Sequence, residues 1–253
     1  TGDIVVCTNE GNADMGTSYP KLNIAAFGME KIVPDLDALG VFTRLLARSA
    51  TGQPVTTYTS HYRRPREGGE YHIIIVDNGR STILSKPDHI KTLNCIRCGA
   101  CLNTCPAYRQ IGGHGYGSIY PGPIGAVISP LLGGYDEFKE LPYACSLCNA
   151  CNSVCPVRIP LAQLILKHRE KMVELGKTPA MERLSIFGFT TANANPMLWK
   201  TGVNIGAKLA GKLIKNGKAP ITFGALGEWT KARDLPQADG ESFRQWFNNR
   251  ERG

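Results

Sequence analysis

The pattern of apolar and polar positions along residues 1–90 indicates a mixed α/β segment. Between residues 35 and 50, apolar side chains recur at the spacing of one helix face. They are Leu36, Leu39, Phe42, Leu45 and Leu46. Residues 71–76 are apolar enough to predict a strand buried on both faces, and Asn78-Gly79 after it predicts a type I′ hairpin turn. Three further runs are strand-like: 3–7, 23–28 and 56–62.

This segment is expected to be an incomplete domain. Strands that alternate with a helix are typical of a doubly wound sheet, and such a sheet normally has more strands than residues 1–90 supply. The chain also begins with Thr1 rather than Met. We therefore expect further strands of the same sheet before Thr1.

The rest of the chain is predicted to be mainly helical. The spacer 106–144 is rich in Gly and Pro, which indicates a loop with one helix near 124–132. Residues 161–175 form a periodic helix that Gly176 ends, and a second helix is predicted at 196–216.

The second of these helices is amphipathic and basic. One face carries Lys200, Asn204, Lys208, Lys212 and Lys215, and another carries Leu198, Gly202, Ile205, Leu209 and Leu213. Residues 1–157 hold 13 basic and 13 acidic side chains, whereas 158–253 hold 16 and 8, so the net charge of +8 lies there. Three interpretations stay open: a solvated or internally packed helix, a docking surface for an acidic partner, and contact with an anionic membrane face. Nucleic acid is not favoured, because no binding motif accompanies the charge.

The composition excludes several classes of protein. The chain has 253 residues, enough for one large or two modest domains, and its hydrophobic content of 42% is ordinary for a globular protein. There is no apolar run long enough to predict a spanning helix, and no signal peptide is visible.

Eight of the nine cysteines fall into one pattern that occurs twice, of the form C-x2-C-x2-C-x3-C-P. The runs are Cys95, Cys98, Cys101 and Cys105 before Pro106, and Cys145, Cys148, Cys151 and Cys155 before Pro156. Three thiolates at this spacing can surround one face of an iron–sulfur cubane, each binding a different iron. The fourth points away, toward the start of the next helix.

Bacterial ferredoxins with two clusters have this spacing, and the fourth cysteine of each of their runs ligates the other cluster. Applied to this chain, the rule predicts two [4Fe–4S] clusters. The first is held by Cys95, Cys98, Cys101 and Cys155. The second is held by Cys145, Cys148, Cys151 and Cys105. Two such centres in one chain are typical of proteins that transfer electrons.

Zinc and disulfides are the alternative explanations of the cysteines. Zinc sites usually pair two short C-x2-C segments with four ligands for one ion, which leaves the third cysteine of each run unexplained. A disulfide framework is less favoured still, because the chain is long and nothing in it indicates secretion.

Residues outside the two runs offer little chemistry. Glu10 follows a predicted strand and is a candidate acid, although a polar turn is the favoured interpretation. Arg80 is a candidate anion contact beside the predicted hairpin turn. Cys7 is expected to be a small buried hydrophobe, and the five histidines show no ligand spacing. No catalytic residue is predicted.

Several segments resemble a known family. Residues 7–12 (CTNEGN), 45–53 (LLARSATGQ) and 76–81 (VDNGRS) resemble the LUD (lactate-utilisation) domain. The order of this domain, two cysteine runs and a basic helical tail is similar to that of the lactate utilisation protein B family. Residues 120–125 and 176–180 fit the same family.

The resemblance implies a fold for each part of the chain. Residues 1–90 would be the C-terminal part of a LUD-like α/β domain, and 91–175 an α-helical ferredoxin domain similar to that of succinate dehydrogenase iron–sulfur subunits. Residues 176–253 would form a basic helical or extended tail. Members of the family are longer, with the additional part upstream, so the resemblance implies that this chain is their C-terminal half.

The resemblance also implies a function. The family acts in bacterial oxidation of L-lactate to pyruvate, as an electron-transfer subunit beside a cysteine-rich protein and a second LUD-domain protein. Substrate chemistry would lie in a partner subunit, and the electron acceptor is unknown. The expected location is the cytoplasm, either free or peripheral at the inner face of the membrane. Two alternatives stay open: the iron–sulfur subunit of another dehydrogenase, such as one for glycolate or glycerol 3-phosphate, and a zinc-binding structural or nucleic-acid-binding module.

Overall fold

The computed structural model describes residues 2–214 and 242–250. Within them the chain forms four strands and eleven α-helices. The strands are β1 (Ile4–Thr8), β2 (Leu22–Gly28), β3 (Tyr58–Tyr62) and β4 (Glu70–Val76). The helices are α1 (Asn12–Ser18), α2 (Leu36–Thr51), α3 (Arg80–Leu84), α4 (Ala100–Thr104), α5 (Pro106–Ile111), α6 (Gly122–Gly133), α7 (Ala150–Val154), α8 (Leu161–Glu174), α9 (Ala180–Ala194), α10 (Pro196–Leu213) and α11 (Phe243–Asn249). Single 3₁₀ turns cover Met29–Lys31, Ile90–Asn94, His114–Tyr116 and Leu141–Tyr143.

The strands of the first segment form two separate pairs. β1 runs antiparallel to β3, and β2 runs parallel to β4. The strands predicted at 3–7, 23–28 and 56–62 are confirmed as β1, β2 and β3, and the mixed α/β character of this segment is confirmed with them. Two pairs do not make a doubly wound sheet, so that finer prediction is not confirmed in the described residues.

The amphipathic helix predicted between residues 35 and 50 is α2. It begins where the Asp35 carboxylate accepts a hydrogen bond from the Ala38 N–H at 2.8 Å, which satisfies a backbone donor of the first turn. It ends at Gly52, which has a left-handed φ of 76° that favours glycine.

The strand predicted at 71–76 is confirmed as β4, but its burial on both faces and the hairpin turn after it are wrong predictions. The side chains of Ile73, Ile74 and Ile75 are each about half exposed, so β4 is not buried on both faces. The chain then enters α3 instead of a hairpin. The reason is Asp77, whose carboxylate accepts hydrogen bonds from the Ser81 N–H at 2.7 Å and the Ser81 hydroxyl at 2.6 Å. These bonds stabilise the first turn of a helix where Asn-Gly alone indicated a reversal.

The main apolar core lies between α6 and α8, in the segment that carries the cysteines. Its fully buried side chains include Val127, Ile159, Leu161 and Ile165. Gly125 allows the start of α6 to lie against the Tyr120 carbonyl oxygen, where a Cβ atom would clash with the backbone. The helix predicted near 124–132 is therefore confirmed as α6, slightly longer than expected.

The two prolines that follow the cysteine runs differ in their effect. α5 begins at Pro106, as expected for a residue that suits the first helical position. After Pro156 the next α-helix, α8, begins only at Leu161. Arg158, which lies between Pro156 and Leu161, has a left-handed φ of 53°, so the backbone there is not α-helical.

The chain divides into two compact units, Thr1–Lys177 and Thr178–Gly253. In the second unit α9 packs on α10, and the Phe189 ring meets the Trp199 ring edge-on at 6.2 Å between centroids. α10 confirms the helix predicted at 196–216, but α9 was not predicted, because its apolar side chains surround the whole helix. Lys215 of the predicted basic face lies outside the described residues. Among residues 2–214 and 242–250, none of the helices has the length and apolar character needed to cross a bilayer.

Candidate metal centre

The two cysteine runs follow the same backbone path. Arg97 and Leu147, which precede the second cysteine of each run, both have left-handed φ values, 62° and 56°. Gly99 and Asn149, which follow that cysteine, are also left-handed and begin the short helices α4 and α7. A non-glycine residue with positive φ is costly, so its occurrence at equivalent positions of both runs indicates a shared functional geometry.

The helices α4 and α7 pack against each other and end at the fourth cysteine of each run. Cys105 and Cys155 there adopt extended backbone, with φ of −76° and −70°. The chain leaves the short helix at this point, so the fourth thiol is separated from the three that precede it.

One cavity collects four cysteines from both runs. It has a volume of about 130 Å³, and its cysteines are Cys95, Cys98, Cys101 and Cys155. Leu102, Ile124 and Leu161 supply apolar walls, and Arg97 is the charged side chain in the lining. This is the set of four that the spacing rule assigns to the first cluster.

The electrostatics of Cys98 agree with this grouping. Burial raises the pKa of the Cys98 thiol, the Ala100 N–H opposes that change, and the nearby Cys95 and Cys155 raise it further. Cys155 is thus close enough to Cys98 to affect the pKa of its thiol, although Cys155 belongs to the other run.

The other four cysteines are Cys151 and three cysteines that neighbour it. Burial is the main reason that the pKa of Cys151 is raised to about 11, and Cys145, Cys148 and Cys105 add to it through their charges. Burial likewise raises the pKa of Cys101 to about 12, and Cys151 is among the neighbours that contribute. The two sets of cysteines therefore adjoin each other where α4 meets α7.

Backbone N–H groups point at several of these sulfurs. The N–H groups of Tyr108, Leu147 and Ile159 donate to Cys105, Cys145 and Cys155, at 3.5, 3.3 and 3.3 Å between nitrogen and sulfur. The Ala150 N–H is the main reason that the pKa of the exposed Cys148 is lowered. Such donors favour the thiolate, which is the form that binds iron, and they influence the reduction potential of a bound cluster.

Two buried donors lie near the cysteines. Arg97 Nη1 has no hydrogen-bond partner and lies beside the cavity of the first set. The Tyr116 hydroxyl neighbours Cys105, and burial, followed by Cys105, raises the pKa of Tyr116 to about 12. A buried charged donor without an acceptor is rare and costly, so Arg97 Nη1 indicates an acceptor that protein atoms do not supply. The sulfurs of an iron–sulfur cluster are such acceptors, and the donor set fits that group.

A single metal ion fits less well. In the part of the chain that the structure describes, no three His, Cys, Asp or Glu side chains converge closely enough to hold one ion. A zinc site needs ligand atoms within about 2.3 Å of a common centre. A cubane spreads its thiolates over four irons, which matches a cavity with cysteines around its wall.

The sequence missed a charged group beside the first set. Glu30, in the 3₁₀ turn after β2, is buried, and its Oε2 accepts a hydrogen bond from Arg80 Nε at 2.5 Å. Its Oε1 lies 3.8 Å from Lys31 Nζ and 3.9 Å from Arg97 Nη2. Lys31 also donates to the Cys95 carbonyl oxygen, and burial, more than any neighbour, lowers its pKa. Gly28 is part of the same arrangement, because a side chain at that position would clash with Glu30 and Arg80. The sequence shows the glycine but not the contact that requires it.

The remaining candidates from the sequence have ordinary structural places. Glu10 is exposed and accepts a hydrogen bond from Asn12 Nδ2 at 3.0 Å, within a polar turn. Arg80 is buried against Glu30 and is not free to bind an anion. Cys7 is partly buried in β1, apart from both cysteine sets. His168 is fully buried and shares a hydrogen bond with the Tyr135 hydroxyl at 2.8 Å.

Comparison with known families accounts for most of the chain. Residues 1–83 match the LUD domain, and 91–159 match a family described as "4Fe-4S dicluster domain". Residues 166–252 match "Lactate utilisation protein B, C-terminal". Over its three segments the chain is similar to the lactate utilisation protein B family. The resemblance found in the sequence is therefore confirmed, and the iron–sulfur assignment of the cysteine segment has independent support.

Individual relatives agree with the family. The chain is 49% identical over 260 residues to "Lactate utilization protein B" of Geobacillus thermodenitrificans (strain NG80-2), which covers all of this chain and 54% of that protein. It is 58% identical over 253 residues to "Uncharacterized electron transport protein YkgF" of Escherichia coli (strain K12), covering 98% of this chain and 53% of that protein. The chain thus spans about half the length of the curated relatives it matches. No solved structure matches it.

Proposed function

We propose that this chain is the iron–sulfur electron-transfer component of a system that oxidises L-lactate to pyruvate. The observation that carries the proposal is the cavity lined by Cys95, Cys98, Cys101 and Cys155, three cysteines from one run and one from the other. The family to which the chain is similar connects this arrangement with lactate utilisation.

Each set would hold one [4Fe–4S] cluster. Cys95, Cys98, Cys101 and Cys155 would hold the first, and Cys145, Cys148, Cys151 and Cys105 the second. When bound, such clusters supply one-electron transfer at low potential. We propose three domains for the chain: a LUD-like part at 1–90, a helical ferredoxin part at 91–175 and a basic tail at 176–253. The LUD-like part would contribute strands to a doubly wound sheet.

The residues around the cavity prepare it for that role. Leu102, Ile124 and Leu161 exclude water from the first set, and the packing of α4 on α7 keeps the two sets adjacent. Backbone N–H groups at Cys105, Cys145 and Cys155 orient the thiolates. A dry, preorganised site limits the reorganisation that accompanies electron transfer and protects the thiolates from oxidation.

The partners are proposed from the family. A cysteine-rich protein and a second LUD-domain protein would complete the complex, and the substrate chemistry would occur in one of them. The chain would pass electrons to an acceptor that its own residues do not identify. We propose a cytoplasmic location, because free thiolates of this kind persist in a reducing compartment. A peripheral position at the inner membrane face would depend on the basic tail.

Metal analysis of anaerobically prepared protein tests the proposal. The two sets predict about eight irons and about eight sulfides per chain, with a brown colour. Reproducible zinc at two ions per chain, without iron after anaerobic reconstitution, would contradict it. Lactate oxidation by the reconstituted complex, measured with and without this subunit, tests the physiological role. A rate that does not depend on the subunit would assign it to another dehydrogenase.

A further inference from the structure

We propose that Arg97 donates a hydrogen bond to the cluster held by Cys95, Cys98, Cys101 and Cys155, and that Glu30 positions Arg97 for this. The inference rests on the proposed function, since it needs the cluster. It assigns a role to two residues that are not ligands. One of them, Glu30, lies in the LUD segment, so the contact joins that segment to the electron-transfer site.

The guanidinium of Arg97 lies between two groups that attract it. Its Nη2 is at ion-pair distance from Glu30 Oε1, 3.9 Å, and its central carbon lies 4.0 Å from the centroid of the Tyr120 ring. Arg97 and Tyr120 both line the cavity of the first cysteine set. A carboxylate at one end and an aromatic ring on its face both favour this orientation of the planar group.

The other end of the same guanidinium has no partner. Arg97 Nη1 is buried without a hydrogen bond, although about a quarter of the whole side chain remains exposed. Burying a charged donor without an acceptor costs more free energy than burying a neutral one. A cluster in the adjacent cavity would carry negative charge on its sulfurs and would satisfy this donor.

Glu30 can position Arg97 because its own side chain is fixed by Arg80. The Glu30 side chain is only 5% exposed and accepts a hydrogen bond from the buried Arg80, which also donates to the Asp77 carbonyl oxygen at 3.0 Å. One carboxylate thus faces Lys31, Arg80 and Arg97, three cations. The group carries an excess of positive charge and its member Arg97 lines the cavity, which favours an anionic occupant.

The second cysteine run offers an internal comparison. Leu147 occupies the position equivalent to Arg97, with the same left-handed backbone, and it cannot donate a hydrogen bond from its side chain. A cationic donor stabilises the reduced cluster, which carries one more negative charge, more than the oxidised cluster. Arg97 should therefore raise the reduction potential of the first cluster and leave that of the second unchanged.

Redox titration of the anaerobic full chain, followed by EPR, tests the inference. Arg97→Met should lower the midpoint potential of one cluster and not the other. Arg97→Lys keeps the charge but loses the planar fork, and Glu30→Asp keeps the charge but shortens the support. Both should shift the same cluster in the same direction by a smaller amount. Leu147→Met is the matched control in the second run, and it should leave the potential of the first cluster unchanged.

A second measurement separates positioning from a general charge effect. In protein labelled with ¹⁵N-arginine, pulsed EPR should detect a nitrogen coupling to one reduced cluster, lost in Arg97→Met and weakened in Glu30→Asp. Unchanged potentials and no arginine coupling in protein with full iron content would overturn the inference and leave the proposed function standing. Wild-type protein that binds no iron would instead refute the proposed function.

Discussion

The exchange of the fourth cysteine between the two runs is the prediction that the structure makes sharpest. Cys105 follows Cys101 in the chain, yet it lies among the charge neighbours of Cys151. Replacing Cys105 by Ser should therefore damage the cluster of the second run. Serine suits this substitution, because Cys105 begins α5 by accepting a hydrogen bond from the Tyr108 N–H, and serine is a favoured residue at that position.

The magnitude follows from the ligand count. Loss of one of four thiolates should reduce the iron content from about eight to about four per chain, with the other cluster intact. A single variant does not show which cluster is lost, but pairs of variants do. Cys105→Ser combined with Cys148→Ser should still retain about four irons, because both changes act on one cluster. Cys105→Ser combined with Cys98→Ser should leave almost none.

The assay is iron and sulfide analysis of anaerobically reconstituted protein, with EPR of the reduced form. Cys7→Ser is the control, since Cys7 lies in β1 apart from both sets, and it should retain all the iron. The reasoning would be refuted by the opposite pattern. If Cys105→Ser combined with Cys148→Ser lost all the iron, and Cys105→Ser combined with Cys98→Ser lost only half, each run would bind its own cluster.

Three further predictions concern other residues. Burial lowers the pKa of His168 from 6.5 to about 4, so its contribution to stability is present above pH 6.5 and is lost as the pH falls toward 4, by roughly 3 kcal/mol. The free energy of unfolding should fall more steeply across that range in wild type than in His168→Phe, and equal slopes would contradict the prediction. Tyr116→Phe should lower the potential of the second cluster, since it removes a buried hydroxyl beside Cys105, and an unchanged titration would count against this. Reversal of Lys200, Lys208 and Lys212 to Glu should weaken assembly with partner subunits at low salt, although a single pair is worth only about 0.2–1 kcal/mol. Normal assembly with lost binding to anionic vesicles would assign this face to a membrane surface.

The local elements could be predicted because their causes are local. Asp35 and Gly52 bound α2 through a side-chain cap and a left-handed residue, both visible in the sequence. The helical turn that follows β4 in place of the predicted hairpin could not be predicted from such local signals. Asn-Gly indicates a reversal on average, but the hydrogen bonds that Ser81 donates to the Asp77 carboxylate favour a helix at this place. α9 escaped prediction because a helix with apolar residues on all sides has no periodic face.

The sequence by itself determined the chemistry of the site and the ligands available to it. The spacing of the two runs is set by covalent geometry over a few residues, so it is readable without a fold. Tertiary structure decided what lies beside them. Cys155 joins the cavity of the first run only because α4 packs on α7, and Glu30 meets Arg97 only because β2 brings a distant segment there. Contacts between residues far apart in the chain depend on packing and burial, which no local pattern records.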